Sequence, residues 1–410
     1  MNKQWWLVVG AVALTMPGIV LRLAGLHPAP AVAAFLYGLA IVGAAFMLAW
    51  GAEVAQEDIP RALALTVLAL IAVLPEYAVD MVFAWQAAAD PERYGPLALA
   101  NMTGANRLLI GVGWPLVVLV YWWRSRRAGR AVDGITLDQG QRVELLLLAL
   151  ATLYSFVIPL KGQLDLFDLV VLVIIFGLYA YRVSKSEHVE PELIGPAKVI
   201  GELPDKQRRV VTVLLFLFSG VVIFLVAHEF AEALIDTGEQ FGINERLLVQ
   251  WLAPLASEAP EFIITGLFAW RLMAAASLGA LVSSKVNQWT LLVSTIPLVF
   301  NLATIWLGGA VPTSLPLDGI QRLDLLLTSA QSLFAVAIIA NLSMNVRDAM
   351  LVFGLFMAQF IFSGFEAYDQ AAQIVVTAIY FALTLFLVLR DRSILHGLIG
   401  AFRSSAHTTP

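Results

Sequence analysis

A proline-glutamate pair occurs twice within apolar sequence that is long enough to cross a membrane. The first copy is Pro75-Glu76 and the second is Pro260-Glu261, and in both a Phe-Ala-Trp sequence begins seven residues after the glutamate. A carboxylate inside a bilayer costs several kcal/mol unless it is paired or has a functional use. Two such carboxylates in matching positions predict a paired ion-binding site that serves ion transport.

Other oxygen-bearing side chains lie close to each glutamate in the sequence. Asp80 follows the first glutamate by one helical turn, so both would face the same way. The second glutamate is preceded by Ser257 and Glu258, and Thr265 stands in the place of Asp80. Carboxylates, hydroxyls and main-chain carbonyls released by proline are oxygen ligands for Ca²⁺ or Na⁺, and carboxylates also bind protons. A position at a helix end near the lipid head groups is disfavoured, because each glutamate lies about sixteen residues into its predicted span.

The next predicted span in each half adds amide, hydroxyl and basic side chains. The candidates are Asn101, Asn106 and Arg107 in the first half, and Ser284 and Lys285 in the second. The basic groups either snorkel to an interface or compensate the carboxylates. Four carboxylates and two basic groups leave two negative charges, which suits one divalent ion, two monovalent ions or two protons. We therefore expect the lysine to replace one ion site or to take part in proton coupling.

A weaker polar cluster lies near the outer end of the predicted seventh span. It consists of His228, Glu229, Glu232 and Asp236. A histidine and a glutamate four residues apart could bind a metal or relay protons. A helix cap or an access vestibule is the favoured interpretation.

The composition requires a membrane protein to position these groups. Of 410 residues, 60% are hydrophobic and 13% are charged, whereas a soluble domain is about a quarter charged. The mean hydropathy is +0.82. The absence of cysteine excludes disulfides, thiolate metal sites and thiol nucleophiles. Apolar windows predict about twelve spans: 5–26, 31–51, 60–85, 97–123, 143–160, 166–182, 210–234, 245–270, 277–305, 323–342, 348–364 and 370–390.

A second matching segment indicates an internal duplication. Residues 137–147 and 317–327 share the pattern Leu-Asp-x-x-Gln-Arg-apolar-acid-Leu-Leu-Leu, and their offset of 180 positions is close to the 185 between the glutamates. Five predicted spans separate the glutamates, and this odd number places the copies in opposite orientations. The predicted fold class is an all-α polytopic membrane protein with about 10–12 transmembrane helices in two inverted-topology repeats, an architecture typical of secondary transporters.

The distribution of basic residues predicts the orientation and the division of the chain. Arginines and lysines concentrate after the fourth, sixth and twelfth predicted spans, so both termini are expected in the cytoplasm. We expect an integral protein of a bacterial inner membrane whose first apolar stretch is retained as a span. The predicted parts are a first half, 1–182, with repeat one at 60–123; a cytoplasmic linker, 183–209; and a second half, 210–410, with repeat two at 245–305.

The motifs resemble those of the cation/calcium exchanger superfamily, the sodium/calcium exchanger-like membrane proteins. That family carries two inverted repeats with Gly-Thr-Ser-Leu-Pro-Glu, followed in the next helix by Gly-Asn-x-x-Gly-Ser-Asn. Residues 74–76 match the Leu-Pro-Glu core, 256–261 retain Ser, Pro and Glu, and 101–106 match the second motif with Ala105 for Ser. The resemblance implies that Glu76 and Glu261 are the central ion-coordinating carboxylates.

The chain departs from the family pattern at particular ligands. Ala72 and Val73 replace the Thr and Ser of the first motif, whose hydroxyls help to form sodium sites in the family. In the second half Ala280 replaces the first Asn, and Lys285 stands at the second. The resemblance therefore does not extend to the sodium ligands.

These observations predict a secondary cation antiporter that exports Ca²⁺, or a similar cation, in exchange for H⁺ or Na⁺. The alternative is a monovalent cation (Na⁺ or K⁺)/H⁺ antiporter on the same fold. An enzyme is disfavoured because no His-Glu-x-x-His metalloprotease motif occurs and the carboxylates lie too deep for a catalytic loop at the interface. Primary ATP-driven pumping is disfavoured because no nucleotide-binding Gly-x-x-x-x-Gly-Lys motif occurs. No cofactor is expected beyond the transported cations, and the expected partners are inorganic cations and the bilayer, without nucleic acid.

Overall fold

The computed structural model describes residues 3–58, 73–184 and 193–390, which are almost entirely helical. The helices are α1 (Lys3–Leu23), α2 (Pro30–Ala55), α3 (Leu74–Ala87), α4 (Pro91–Leu108), α5 (Trp114–Arg127), α6 (Arg142–Ser155), α7 (Val157–Lys161), α8 (Leu166–Val183), α9 (Gly195–Gly201), α10 (Asp205–Phe241), α11 (Glu245–Trp270), α12 (Ala274–Asn287), α13 (Val293–Trp306), α14 (Gly319–Ile339), α15 (Val346–Ser363) and α16 (Glu366–Arg390). The strands are β1 (Gly134–Thr136), β2 (Gln163–Leu164), β3 (Leu315–Pro316) and β4 (Ser343–Asn345).

Within the described residues, ten helical runs are long and apolar enough to cross a membrane. The predicted all-α polytopic fold is therefore confirmed, at the lower end of the predicted 10–12 helices. The predicted third span, 60–85, lies partly outside the described residues. The predicted eighth span coincides with α11, which is not among the ten because polar and acidic residues interrupt its apolar sequence.

Two short antiparallel ribbons show that the repeats are inverted. β1 pairs with β4 through Ile135 opposite Met344, and β2 pairs with β3 through Leu164 opposite Leu315. An offset of 180 positions converts the first pairing into the second, so the ribbons are equivalent. In each ribbon, one strand lies just before the duplicated motif of one repeat. The other strand lies just after the helix that follows this motif in the other repeat. Helices α6 and α14 therefore run in opposite directions, as the predicted inversion requires.

The duplicated Leu-Asp-x-x-Gln-Arg motif has a physical explanation at the start of these two helical runs. Both copies form a capping box, in which the aspartate side chain accepts from the backbone of the glutamine while the glutamine side chain accepts from the backbone of the aspartate. The second copy has Gln321 N donating to Asp318 Oδ1 at 2.7 Å and Asp318 N donating to Gln321 Oε1 at 2.7 Å. The motif thus fixes where both helical runs begin.

A π-helical turn follows the second-motif helix in each repeat. Leu109–Gly113 joins α4 to α5, and Gln288–Leu292 joins α12 to α13. Such turns are rare and often occur at functional sites. Both follow within a few residues of the predicted site positions 106 and 285.

The chain forms two compact units that combine parts of both repeats. The first unit contains residues 1–101 and 184–261, and the second contains 102–183 and 262–410. In the first unit α2 packs against α1 and α10, and α10 also contacts α3. In the second unit α14 packs against α6 and α16. The predicted sequence halves remain a prediction, and residues 185–192 of the predicted linker lie outside the described residues.

Asp58 connects the end of α2 to the start of α10 in the first unit. Arg208 donates to both carboxylate oxygens of Asp58, at 2.9 and 2.8 Å, and Arg209 Nε donates to Oδ1 at 2.8 Å. The bonds from Arg208, opposed by partial burial and reinforced by Arg209, lower the pKa of Asp58 from 3.8 to about 2. Because the folded pKa is depressed, this stabilisation is present above about pH 4 and is lost as the pH falls towards 2.

We expect Asp58→Asn to lower the free energy of unfolding by about 1 kcal/mol at neutral pH, because a charge-assisted bidentate pair is lost. The difference from the wild-type protein should shrink as the pH falls below about 4 and vanish only below about pH 2. Asp205→Asn is the matched control, since Asp205 contacts the same arginine at 3.2 Å but its side chain is 73% exposed. Thermal unfolding of purified protein at several pH values measures this, and equal stability of Asp58→Asn and Asp205→Asn at pH 7 would contradict the assignment.

Candidate cation site

The first proline-glutamate pair lies at the start of α3. The residue before the helix, Val73, has non-helical backbone angles, and Pro75 occupies the first turn, where its missing N–H costs no helical hydrogen bond. Glu76 is in the same turn and is 3% exposed, and Asp80, one turn later, is fully buried. The local sequence therefore places two buried carboxylates on successive turns of one helix.

Asp80 and Asn101 form a direct contact that leaves two oxygens available. Asn101 Nδ2 donates to Asp80 Oδ1 at 2.6 Å. Asp80 Oδ2 and Asn101 Oδ1 are both buried and accept no hydrogen bond from any described residue. Buried oxygens of this kind require a donor or a cation. The pair thus has the chemistry to bind a proton on Asp80 or to contribute oxygen ligands to a metal cation.

The second proline-glutamate pair lies inside a continuous helix. The helix α11 continues through Pro260, in agreement with the predicted span 245–270. This proline has no N–H to donate to the carbonyl of Ala256, so that acceptor loses its usual helical donor without a break in the helix. The copies therefore differ, because α3 starts at its Pro-Glu pair while α11 passes through the equivalent pair.

The side chains around the second pair have unequal exposure. Glu258 is fully buried, Ser257 is 8% exposed, and Glu261 is half-buried. Ser257 Oγ donates to main-chain carbonyls one turn earlier, at 3.3 and 3.2 Å, so its lone pairs stay available for a cation. Thr265, the counterpart of Asp80, is 3% exposed.

Six of the predicted ligands lie in the first unit, on three helices: Glu76, Asp80, Asn101, Ser257, Glu258 and Glu261. Among the described residues, no three His, Asp or Glu side chains are grouped closely enough to hold a metal ion by themselves. A cation here would therefore need amide, hydroxyl and main-chain oxygens as well as carboxylates, a ligand mixture typical of Ca²⁺ and Na⁺.

The second unit brings Asn106 and Lys285 into direct contact. Lys285 Nζ donates to the main-chain oxygen of Asn106 at 3.1 Å and to its Oδ1 at 2.5 Å. The ammonium also lies 4.5 Å from the ring centre of Trp289, and all three side chains are buried. Snorkelling of Lys285 to an interface is excluded by this burial. The lysine instead holds a positive charge against two oxygens that belong to the other repeat.

Arg107 is also buried and lies beside an acidic residue that is not among the predicted ligands. Its Nη2 lies 3.7 Å from Asp324 Oδ1, and Gln331 Nε2 donates to the Arg107 carbonyl at 3.3 Å. Only 1% of Arg107 is exposed, so it does not snorkel either. Asp324 occupies the acid position of the duplicated motif. The motif in the sequence could therefore have identified Asp324 as a candidate functional residue.

The equivalent acid of the first repeat has a different partner. Glu144 Oε2 accepts a hydrogen bond from Ser283 Oγ at 2.6 Å. The predicted ligand Ser284 is the next residue and is 7% exposed. Each motif acid therefore contacts the second-motif helix of the opposite repeat, with arginine as partner on one side and serine on the other.

The weaker cluster on α10 does not gather into a metal site. Glu229 pairs with Arg22 at 3.0 Å, and Glu232 accepts from Gln86 Nε2 at 2.6 Å. The helix continues to Phe241, beyond the predicted end of the span at 234, so His228 does not cap it. The hydropathy of α10 falls before its helical structure ends.

Comparison with known proteins identifies the family. The family described as "Sodium/calcium exchanger protein" matches residues 30–185 and 211–365, one match for each repeat. The chain belongs to this sodium/calcium exchanger family. Glu76 lies in the first match and Glu261 in the second, as the predicted resemblance requires.

Three solved structures share the fold. The H⁺/Ca²⁺ exchanger CAX is 40% identical, with 98% of each chain covered and a TM-score of 0.90. YfkE is 15% identical over 91% of this chain and all of its own, with a TM-score of 0.58. The sodium-calcium exchanger NCX_Mj is 15% identical over 80% of this chain and 96% of its own, with a TM-score of 0.53. Comparison with curated protein sequences gave no match.

Proposed function

We propose that this exchanger-family protein is a secondary Ca²⁺/H⁺ antiporter that uses Glu76 and Glu261 as its central ion-binding carboxylates. The observation that carries the proposal is the set of buried acidic and amide oxygens in the first unit, on sequence motifs that occur once in each inverted repeat. The 40% identity to a protein described as an H⁺/Ca²⁺ exchanger supports the same cargo. Relatives of this family are exchangers, which supports a transport role rather than catalysis.

The proposed cargo follows from the ligand chemistry. Carboxylates with amide, hydroxyl and carbonyl oxygens favour a hard cation, and Ca²⁺ accepts irregular sets of six to eight such ligands. The same carboxylates can bind protons after the metal leaves, because a buried carboxylate without its cation is costly to keep ionised. Competition between Ca²⁺ and H⁺ for one set of carboxylates then couples the two fluxes.

The proposed coupling ion follows from the changes at the sodium ligands. Val73, which replaces a hydroxyl-bearing residue of the family motif, has no side-chain oxygen to offer to Na⁺. Lys285 places an ammonium on two oxygens of Asn106, where a monovalent cation would otherwise have its ligands. Lys285 thus acts as a tethered cation, and Arg107 adds a second fixed positive charge. Protons are then the coupling ion that remains.

The membrane arrangement that we propose keeps both termini in the cytoplasm. The family and the ten apolar helices support an integral membrane protein, and the excess of arginine and lysine on one predicted side supports the orientation. We place it in a bacterial inner membrane, where an inward proton gradient would drive Ca²⁺ export by alternating access around the glutamates.

The direct test is radioactive calcium uptake into proteoliposomes under separate H⁺, Na⁺ and K⁺ gradients. The proposal predicts uptake that depends on the proton gradient and is unchanged when Na⁺ and K⁺ are replaced by an impermeant cation. Proton-driven uptake of Na⁺ or K⁺ without Ca²⁺ uptake would instead favour the monovalent cation/proton antiporter.

We expect Asp80→Asn to raise the Ca²⁺ concentration for half-maximal transport about tenfold or more, because a carboxylate ligand becomes neutral. Asp80→Thr copies the residue at the equivalent position of the other repeat and should show the same loss. Asp236→Asn, at an exposed position in the same unit, serves as the control. Calcium-concentration dependence in proteoliposomes measures this, and an unchanged half-maximal concentration in Asp80→Asn would remove Asp80 from the ligand set.

A further inference from the structure

The last two turns of α5 carry a cluster of aromatic and basic side chains that the proposed transport chemistry does not use. Residues 121–130 read Tyr-Trp-Trp-Arg-Ser-Arg-Arg-Ala-Gly-Arg, and the run begins where the apolar part of the membrane-crossing helix ends. We define the Arg-Trp platform as Trp122, Trp123, Trp270, Arg124, Arg126 and Arg127, all in the second unit.

The platform is built by contacts between the two side-chain types. Arg126 stacks over Trp122 at 4.5 Å and Arg127 over Trp123 at 3.9 Å, both at the four-residue helical spacing. Trp270, at the end of α11, packs against Trp123 with ring centres 5.2 Å apart. Arg124 lies 5.8 Å from the Trp270 ring. Three guanidinium groups therefore lie close to the rings of three tryptophans.

The charge of the platform is not neutralised by protein acids. None of its three arginines forms an ion pair with a carboxylate in the part of the chain that the structure describes. Arg126 and Arg127 are exposed, and Trp123 and Trp270 are 37% and 47% exposed. A stacked guanidinium keeps its planar N–H edge available for an oxyanion, which it can bind in a bidentate manner.

We propose that the Arg-Trp platform binds the head group of an anionic phospholipid. Charge complementarity supports this occupant, because several arginines immediately beside a membrane-crossing helix attract phosphate-bearing lipids. The partly exposed tryptophans supply the amphipathic surface that sits at the level of lipid head groups. The stacking fixes the guanidinium planes before binding, which reduces the entropy lost when the lipid binds. The bound lipid would tie α5 to the end of α11, through which Trp270 joins the platform.

The test is thermal unfolding of the full chain in detergent, titrated with phosphatidylglycerol or with phosphatidylcholine. The triple variant Arg124→Gln, Arg126→Gln, Arg127→Gln removes the charges, and the corresponding triple lysine variant keeps the charge but not the planar fork. Arg347→Gln is the matched control, because Arg347 is an exposed arginine at the start of α15, next to β4, and thus on the same side as the loop that carries β1.

We expect phosphatidylglycerol to stabilise the wild-type protein and Arg347→Gln equally, while phosphatidylcholine has little effect. The apparent affinity for phosphatidylglycerol should fall about tenfold or more in the triple glutamine variant and by a smaller factor in the triple lysine variant. Equal stabilisation of the wild-type and triple glutamine proteins would overturn the proposal. Full affinity in the triple lysine variant would also overturn it, since diffuse charge would then suffice.

Two further experiments exclude a free anion as the ligand and provide for a triple variant that does not fold. Inorganic phosphate is titrated alone, and stabilisation equal to that by phosphatidylglycerol would reject a lipid in favour of a free anion. If the triple glutamine variant does not fold, the single variant Arg127→Gln replaces it, since this arginine has the closest ring contact in the platform. An unchanged lipid affinity in Arg127→Gln would then count against the platform.

Discussion

Replacement of Glu76 or Glu261 by glutamine is expected to reduce proton-driven Ca²⁺ transport by a factor of about 100 or more. Each substitution removes one negative charge from the proposed ion site, and the loss of one partner of an ionic contact costs about 3 kcal/mol or more where that contact is shielded from water. Glutamine keeps the size and the hydrogen-bonding capacity of the side chain, so the fold should survive. The two variants should be similarly defective, although Glu76 begins a helix and Glu261 lies inside one.

Glu232→Gln provides the matched control for this experiment. Glu232 is also a glutamate in the first unit, but its partner is Gln86 on α3 rather than a predicted ion. Its substitution should leave the transport rate within about a factor of two, as expected for a change outside the machinery. Initial rates of calcium uptake, normalised to reconstituted protein, measure all three variants. Wild-type rates in Glu76→Gln or Glu261→Gln would remove that residue from the ion site.

Lys285→Asn is expected to make transport sensitive to sodium and to change its pH dependence. The substitution removes the ammonium from the two oxygens of Asn106 and restores the residue of the family motif at this position. Buried acceptors without a donor cost about 1–3 kcal/mol each, so a monovalent cation has a reason to enter. Without Na⁺ the variant should therefore transport slowly, and Na⁺ should raise its rate.

Lys285→Met distinguishes the effect of losing the positive charge from the effect of adding an oxygen ligand for Na⁺, which Lys285→Asn does at the same time. Methionine removes the charge and offers no oxygen, so this variant should be slow with or without Na⁺. Lys285→Arg, which keeps the charge, should retain sodium-independent transport at a reduced rate because the guanidinium is larger. Calcium uptake across a series of pH values and sodium concentrations distinguishes the three. If Lys285→Asn kept wild-type pH dependence and ignored sodium, Lys285 would have no part in coupling.

Much of the architecture could be predicted because the internal repeat can be recognised from matching motifs in the sequence. The Leu-Asp-x-x-Gln motif is visible as a pattern since it forms a local capping box in each copy, and local hydrogen bonds depend on short spacing alone. The odd number of predicted spans between the glutamates gave the inversion that the two strand ribbons display. The bounds of α11 match the predicted span because helix and apolar sequence end together at Trp270.

The contacts between repeats could not be predicted in the same way. Sequence comparison aligned Asn106 with Lys285 as equivalents, but it gave no sign that they touch, because their contact depends on packing between distant helices. The Arg107–Asp324 contact also depends on packing between distant helices, so it could not be predicted, although Asp324 was recognised as part of the duplicated motif.

Proton movement driven by an imposed Ca²⁺ gradient tests the central claim most directly. Proteoliposomes that contain a pH-sensitive dye, in sodium-free buffer with the membrane potential clamped, should show proton efflux as Ca²⁺ enters, and Glu76→Gln and Glu261→Gln vesicles should show none. Ca²⁺ entry without any proton movement in the wild-type protein would contradict the account.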